Sequence, residues 1–141
     1  MTGMTGPDFV DSNVLVYAYV STDPRKQGIA KDIVRRAIAG EGAASTQVLS
    51  EFASTFLHKF SPPARPEDLL QLLDILSPIA LVPLDRGTVR RAIEARAAYG
   101  IHFYDGMIVA AAERGGCRRI LSEDLNAGQK YFQIPVENPF V

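Results

Sequence analysis

The sequence predicts an α/β fold: a three-layer sandwich in which helices flank a mostly parallel central sheet. Two observations carry this reading. Short apolar runs alternate along the chain with longer segments of helical period. Acidic residues recur just after the short runs or at helix starts, beside the strand ends where open parallel sheets bind their ligands. The 141 residues, with 47% hydrophobic and 22% charged content, suit one domain spanning residues 1–141, large enough for a sizeable core but not for two.

Phe9 to Asp11 reads as a short strand, with Ser12-Asn13 as a turn and a helix through about Tyr19. Asp23-Pro24 marks the next helix start, and Ile29, Ile33, Val34 and Ala37 form its inner face until Gly40-Glu41-Gly42 ends it. Ala43 to Ser45 is a brief strand, and Thr46 caps a helix reaching about Phe60, before Pro62-Pro63 breaks the chain. Arg65-Pro66-Glu67 opens a helix carrying Leu69, Leu70, Leu72, Leu73 and Leu76. Ile79 to Val82 is a strand, and a helix follows from about Arg86 to Tyr99. Another helix begins near Asp105 and ends at Gly115-Gly116. Arg119 to Leu121 is a strand, and Ile134 to Val136 a short last one.

The formal net charge of −1 argues against a protein held to nucleic acid by a global positive field, while leaving room for a local basic rim. One cysteine, Cys117, excludes an internal disulfide and a Cys-rich zinc site, and reads as a small buried filler. No apolar run is long enough to span a membrane. Residues Met1 to Pro7 lack the basic start and apolar core of a signal peptide, and Met4 offers a second start codon. The expectation is a cytoplasmic protein with no membrane partner.

Four acids stand out: Asp11, Glu51, Asp105 and Asp124. Asp11 closes an apolar run, and Asp105 shares a helical stripe with Ile108, Val109 and Ala112, so both carboxylates are costly to bury without a partner or a cation. Asp11 or Asp124 alone reads equally as a turn former or cap. A helical wheel places Glu51 roughly opposite the arc of Val48, Leu49, Phe52, Phe56 and Leu57, facing solvent. Within Ser122-Glu123-Asp124, pattern leaves open which acid points inward.

Four segments together resemble the PIN-domain family. They are Phe9-Val-Asp-Ser-Asn-Val-Leu-Val-Tyr-Ala18, Ser45-Thr-Gln-Val-Leu-Ser-Glu-Phe52, Phe103-Tyr-Asp-Gly-Met-Ile-Val-Ala-Ala-Ala112 and Ile120-Leu-Ser-Glu-Asp-Leu-Asn-Ala-Gly-Gln129. Their order and spacing are similar to the family's over nearly the whole chain, and the length resembles that of VapC-like ribonuclease toxins. The resemblance implies a PIN-like fold and an acidic quartet at Asp11, Glu51, Asp105 and Asp124, catalytic and metal-holding, choosing Asp124 over Glu123. It matches Ser12, Asn13 and Ser122 to the small polar positions beside the acids. It also implies an RNA substrate such as tRNA or rRNA, a cognate VapB-like antitoxin and a homodimer. Two positions depart: His102 stands where relatives commonly carry a small hydroxyl residue, and Gly106 replaces a usual alanine, weakening the helix start by roughly 0.5–1 kcal/mol.

Oxygen ligands of this kind suit Mg²⁺ or Mn²⁺, hard cations that supply an activated water and neutralise phosphoryl charge. Asp11 and Asp105 are the first choice as direct ligands, with Glu51 and Asp124 completing the cluster. Four close carboxylates without a metal should hold protons more tightly. Tyr104, Lys130 and Tyr131 are candidates to stack on a base or meet phosphate, whereas Arg118 and Arg119, at the far end of their strand, read as a solvated basic patch. The surplus of apolar residues on the segment Val48 to Phe60 fits either a second subunit, an antitoxin segment, or a helix buried on two sides. The main alternative is a non-catalytic PIN-like module that binds RNA or protein. A metal-free ribonuclease using His58 and His102 is a thinner reading. A phospho-receiver domain built on Asp85 lacks a well-placed lysine, and Gly40-Glu41-Gly42 follows a helix rather than the strand a nucleotide-binding turn needs.

Overall fold

Three buried residues, Asp8–Val10, form β1 at the middle of the sheet, and the rest of the fold is laid out on either side of it. The computed structural model describes residues 5–141, so Met4 lies outside the described residues. Asp11 has already left the strand: it caps α1 (Ser12–Tyr19), accepting the Ser12 N–H at 2.7 Å. The expected strand is therefore displaced by one residue, because a side chain that caps the next helix cannot also stay in the ladder.

The helix α2 (Pro24–Arg36) starts as the Asp23-Pro24 signal predicts, with Asp23 accepting from the Arg25 and Lys26 N–H groups. A π-helical turn, Ala37–Glu41, joins it to β2 (Gly42–Ser45). Ser45, not Thr46, caps α3 (Thr46–His58) by accepting from the Val48 N–H at 3.3 Å. After the proline break come α4 (Pro66–Leu76), β3 (Ala80–Val82) and α5 (Arg86–Tyr99). Asp85 and Thr88 form a reciprocal capping box at the start of α5, and Gly100, at φ 70°, ends it. α6 (Phe103–Arg114), β4 (Arg119–Leu121), β5 (Lys130–Tyr131) and β6 (Ile134–Glu137) complete the chain. The two-residue strand β5 was not expected from the sequence; it exists only through its antiparallel pairing with β6.

Among the described residues the sheet has the order β3-β2-β1-β4-β6-β5, parallel except at β5. The chain steps outward from β1 to β3, then returns past β1 to β4. α5 packs on α6, and α1 packs on α2 and α3. With right-handed crossovers, the outward steps to β3 and the return to β4 require these two helix groups to lie on opposite faces, the layered arrangement the alternation predicts. The order reverses between β1 and β4, the position where parallel sheets open a crevice at their carboxyl ends. Val10 pairs with Leu121, so the residues that follow each strand, Asp11 and Ser122, emerge side by side.

Phe9, Leu15, Val48, Phe52, Val109, Ile120 and Val136 fill the core with almost no exposure, and Cys117 is buried among them. Val48, Phe52 and Phe56 of α3 turn into it, while Leu57 stays exposed. Gly106 has a packing role: a Cβ there would sit 2.7 Å from the Ala92 carbonyl oxygen, so glycine permits the close approach of α6 to α5. No helix among the described residues is long and apolar enough to cross a membrane.

Beneath β1, at the opposite end of the sheet from Asp11, Asp8 is buried between two guanidinium groups. The Nε atoms of Arg118 and Arg119 donate to it at 2.7 and 2.9 Å, and they hold its carboxyl below the usual range despite burial. The expected solvated patch at Arg118 and Arg119 is instead an ion-paired clamp that joins the start of β1 to the start of β4, extended by Arg119 to Glu137 at 2.5 Å.

Candidate active site

The reversal in strand order gathers the sequence-distant acids. An open cleft of about 450 Å³ is lined by Asp11, Glu51, Asp105, Glu123 and Asp124, together with Ser12 and Asn13. Asp11 comes from the end of β1, Glu51 from the second turn of α3, Asp105 from the first turn of α6, and Asp124 from the turn after β4. Among the described residues, no three acidic, histidine or cysteine side chains stand close enough together to hold an ion as they are.

Asp11 is the buried member of the group, only 6% exposed. One carboxylate oxygen accepts from the Ser12 N–H, and the other from the Ser122 hydroxyl at 2.7 Å. Burial, and after it the charges of Glu51 and Asp124, outweigh those bonds and push its carboxyl up to about 6. Asp105 is raised too, by its burial and by the nearby Asp124, with His102 acting against them.

The other side chains are held by short polar contacts. Ser12 donates its hydroxyl to Glu51 at 3.2 Å, and Gln47 donates to the second Glu51 oxygen at 3.3 Å and to the Tyr104 carbonyl at 3.1 Å. Gln47 therefore ties α3 to the start of α6. The Asn13 amide donates to Asp124 at 3.1 Å while its oxygen accepts the Glu123 N–H at 3.2 Å. Glu51, which the helical wheel turns toward bulk solvent, faces the cleft instead: α3 packs against α1, and the polar side of the helix looks across it.

Some side chains play parts that pattern did not reveal. Glu123 lines the cleft but is taken up by Lys26 at 2.5 Å and by the Tyr17 hydroxyl at 2.6 Å; these partners prevail over its burial and hold its carboxyl below the usual range. Lys26 also lies 5.2 Å over the Tyr17 ring. The turn signal at Asp23-Pro24 hinted at none of this, since the contact spans the chain. His102 caps α6, its Nδ1 accepting the Tyr104 N–H at 3.1 Å, so it does the work a hydroxyl residue would do there. Tyr104 is 58% exposed and stacked on His102 at 5.8 Å. Tyr131, in contrast, is buried edge-on against Tyr99 at 5.0 Å and has no free face for a base. Lys130 is exposed but does not line the cleft.

The PIN domain family model matches residues 9–132, a span that holds all four acids. The chain belongs to the PIN domain family. Solved structures with the same fold include a toxin-antitoxin complex from Klebsiella pneumoniae, at 16% identity and a TM-score of 0.67, covering 94% of this chain and 97% of that one. VapBC2 from Rickettsia felis, solved with a promoter DNA fragment, aligns at 17% identity and a TM-score of 0.64, covering 93% and 97%. The Mycobacterium tuberculosis toxin VapC20, described as cleaving the sarcin-ricin loop, aligns at 17% identity and a TM-score of 0.63, covering 91% and 98%. No curated protein matches the chain. The acid-lined cleft lies within the span that the family model matches.

The donor set fits a hard divalent cation. Every candidate ligand is an oxygen, from carboxylates and the neighbouring Ser12, Asn13 and Ser122. The raised proton affinity of Asp11 and Asp105 marks a place that gains from a positive charge.

Proposed function

We propose that this PIN-domain protein is a Mg²⁺- or Mn²⁺-dependent endoribonuclease, the toxin of a VapBC-type pair acting in the cytoplasm. The observation that carries the reading is the convergence of Asp11, Glu51, Asp105 and Asp124, from four separate segments, on one cleft at the strand-order reversal. Asp11 and Asp105 would hold the cation directly, and Glu51 and Asp124 would complete its surroundings. A divalent ion bound there supplies an activated water and offsets the charge that develops on the phosphoryl oxygens.

The residues around the quartet prepare it. Ser122 and the Ser12 N–H fix both oxygens of Asp11. Asn13 orients Asp124, and Gln47 with Ser12 orients Glu51. Attack by water leaves 5′-phosphate and 3′-hydroxyl ends and does not use the 2′-hydroxyl. The open cleft suits unstacked nucleotides of structured RNA such as tRNA or rRNA. The toxin-antitoxin complexes among its structural relatives support a VapB-like antitoxin as partner. Exposed Leu57, Leu70, Ile75 and Leu81 offer apolar surface for that partner or for a homodimer.

Purified protein incubated with tRNA and rRNA, with the new 5′ ends mapped, tests the activity. Cleavage that needs Mg²⁺ or Mn²⁺, stops in EDTA and disappears in Asp11→Asn is expected. Cleavage that survives chelation, or an unchanged rate in Asp11→Asn, would refute it; binding of RNA without any cleavage would favour the non-catalytic module.

A further inference from the structure

We infer that Lys59 and the hydroxyl-bearing flank of α3 form a phosphate subsite for the RNA strand next to the bond that is cut. The inference rests on the ribonuclease reading of the cleft. A polyanion entering a cleft lined by five carboxylates needs cations of its own along the way. A metal held by the quartet answers charge at the acidic end only. Lys26 is taken up by Glu123, which lines the cleft. Among the described residues lining the cleft, Lys59 is the one cation, and it joins no ion pair among them.

Its position sets the register. Glu51, Ser54, Thr55 and Lys59 all line the cleft from α3 and its C-terminal cap. At 1.5 Å of rise per residue, the Lys59 backbone lies about 12 Å along the helix axis from that of Glu51. A lysine stem spans part of that distance, so the ammonium meets a phosphate flanking the scissile one. Ser54, exposed beside it, offers a hydroxyl that makes no hydrogen bond to another described residue. The Thr55 hydroxyl donates to the Glu51 carbonyl at 2.9 Å, which leaves its oxygen able to accept. Lysine acts here as a point charge on a flexible stem, recognising phosphate without reading sequence.

The test measures binding of a short fluorescein-labelled single-stranded RNA of mixed sequence by fluorescence anisotropy, over a series of KCl concentrations. The protein is the full chain carrying Asp11→Asn, with and without Lys59→Gln or Lys59→Arg. Expected is a loss of roughly five- to tenfold with Lys59→Gln at low salt, and a salt dependence of log Kd shallower by about 0.7, the share of one single-strand phosphate contact. Lys59→Arg should keep the slope. An unchanged affinity and slope in Lys59→Gln would overturn the inference and leave Lys59 a solvated lysine at a helix C-terminus. The two readings fail separately: the cleavage assay judges the quartet, and the salt slope judges Lys59.

Discussion

A buried carboxylate pushed up to about 6 makes the metal-free protein's stability depend on pH in an unusual direction. An unfolded aspartate titrates near 3.8. Above about pH 6, Asp11 is ionised in both states, and the cost of burying its charge is fully present. Below the unfolded value it is neutral in both, and that cost is gone. Between the two, the folded chain keeps a proton that the unfolded chain gives up, so stability rises as the pH falls. At about 1.4 kcal/mol per pH unit, the shift from 3.8 to about 6 amounts to about 3 kcal/mol. Asp105, raised as well, adds in the same sense. Asp11→Asn removes the Asp11 contribution. Its level of stability is a poor readout, because an amide cannot accept from both the Ser12 N–H and the Ser122 hydroxyl, and the lost bond costs about 1–3 kcal/mol at every pH. The slope is the clean measure. Urea denaturation in EDTA at several values between about pH 4.5 and 7.5 should show wild type losing about 2 kcal/mol relative to the variant as the pH rises, the part of the full effect that falls inside this window. Saturating Mg²⁺ should flatten the wild-type curve, since the ion takes the place of the proton. Parallel curves for the two proteins in EDTA would refute the reasoning.

Gly106→Ala should destabilise the fold by about 1–3 kcal/mol despite alanine's better helix propensity, because its Cβ would lie 2.7 Å from the Ala92 carbonyl oxygen; a Tm that holds or rises would show that α6 moves freely away from α5. Glu123→Gln removes the Lys26 ion pair while keeping an acceptor for Tyr17, and should cost about 0.5–1 kcal/mol in low salt, with the difference fading in high salt. Since the folded carboxyl is lowered, that contribution is present above about pH 4.5 and lost as the pH falls through the folded value, the reverse of Asp11, and urea midpoints at two pH values distinguish them. Asp8→Ala leaves Arg119 and Arg118 facing each other at the base of β1 and should cost about 1–3 kcal/mol, measured by urea denaturation; a loss of metal-dependent cleavage at temperatures where the variant is folded would contradict its placement at the far end of the sheet.

The sequence was most readable where a signal is local. The Asp23-Pro24 start, the helix from Arg86 to Tyr99 and the strand from Arg119 to Leu121 each carry their own caps or apolar run, and the structure has them there. What stayed hidden depends on partners far away in the chain. Strand β5 is two residues long and owes its existence to β6. Asp8 gave no sign of its burial, because the arginines that neutralise it lie more than a hundred positions on. The wheel misplaced Glu51 because it divides a helix into core and solvent, and a cleft wall is neither. Tyr131 passed as a base platform for the same reason that buried tyrosines often do: an aromatic near a site looks alike in sequence whether its face is open or covered.

Ser122 explains how a turn and a strand end become one unit. Its oxygen receives the N–H groups of Asp124 and Leu125 at 3.1 and 3.3 Å and, more loosely, the Asn13 amide at 3.4 Å. A hydroxyl oxygen has two acceptor sites and one proton. With its acceptor side occupied from the β4 turn and from α1, the proton is directed to Asp11, 2.7 Å away. The hydroxyl thereby holds Asp11 as an acceptor in a place where burial alone favours the protonated acid, and it fixes the backbone that presents Asp124. A single fully buried side chain thus sets the separation of two acids contributed by neighbouring strands across the sheet's reversal. Replacing it with alanine would release three N–H groups and one carboxylate oxygen together, so the loss would fall on the geometry of the quartet as much as on stability.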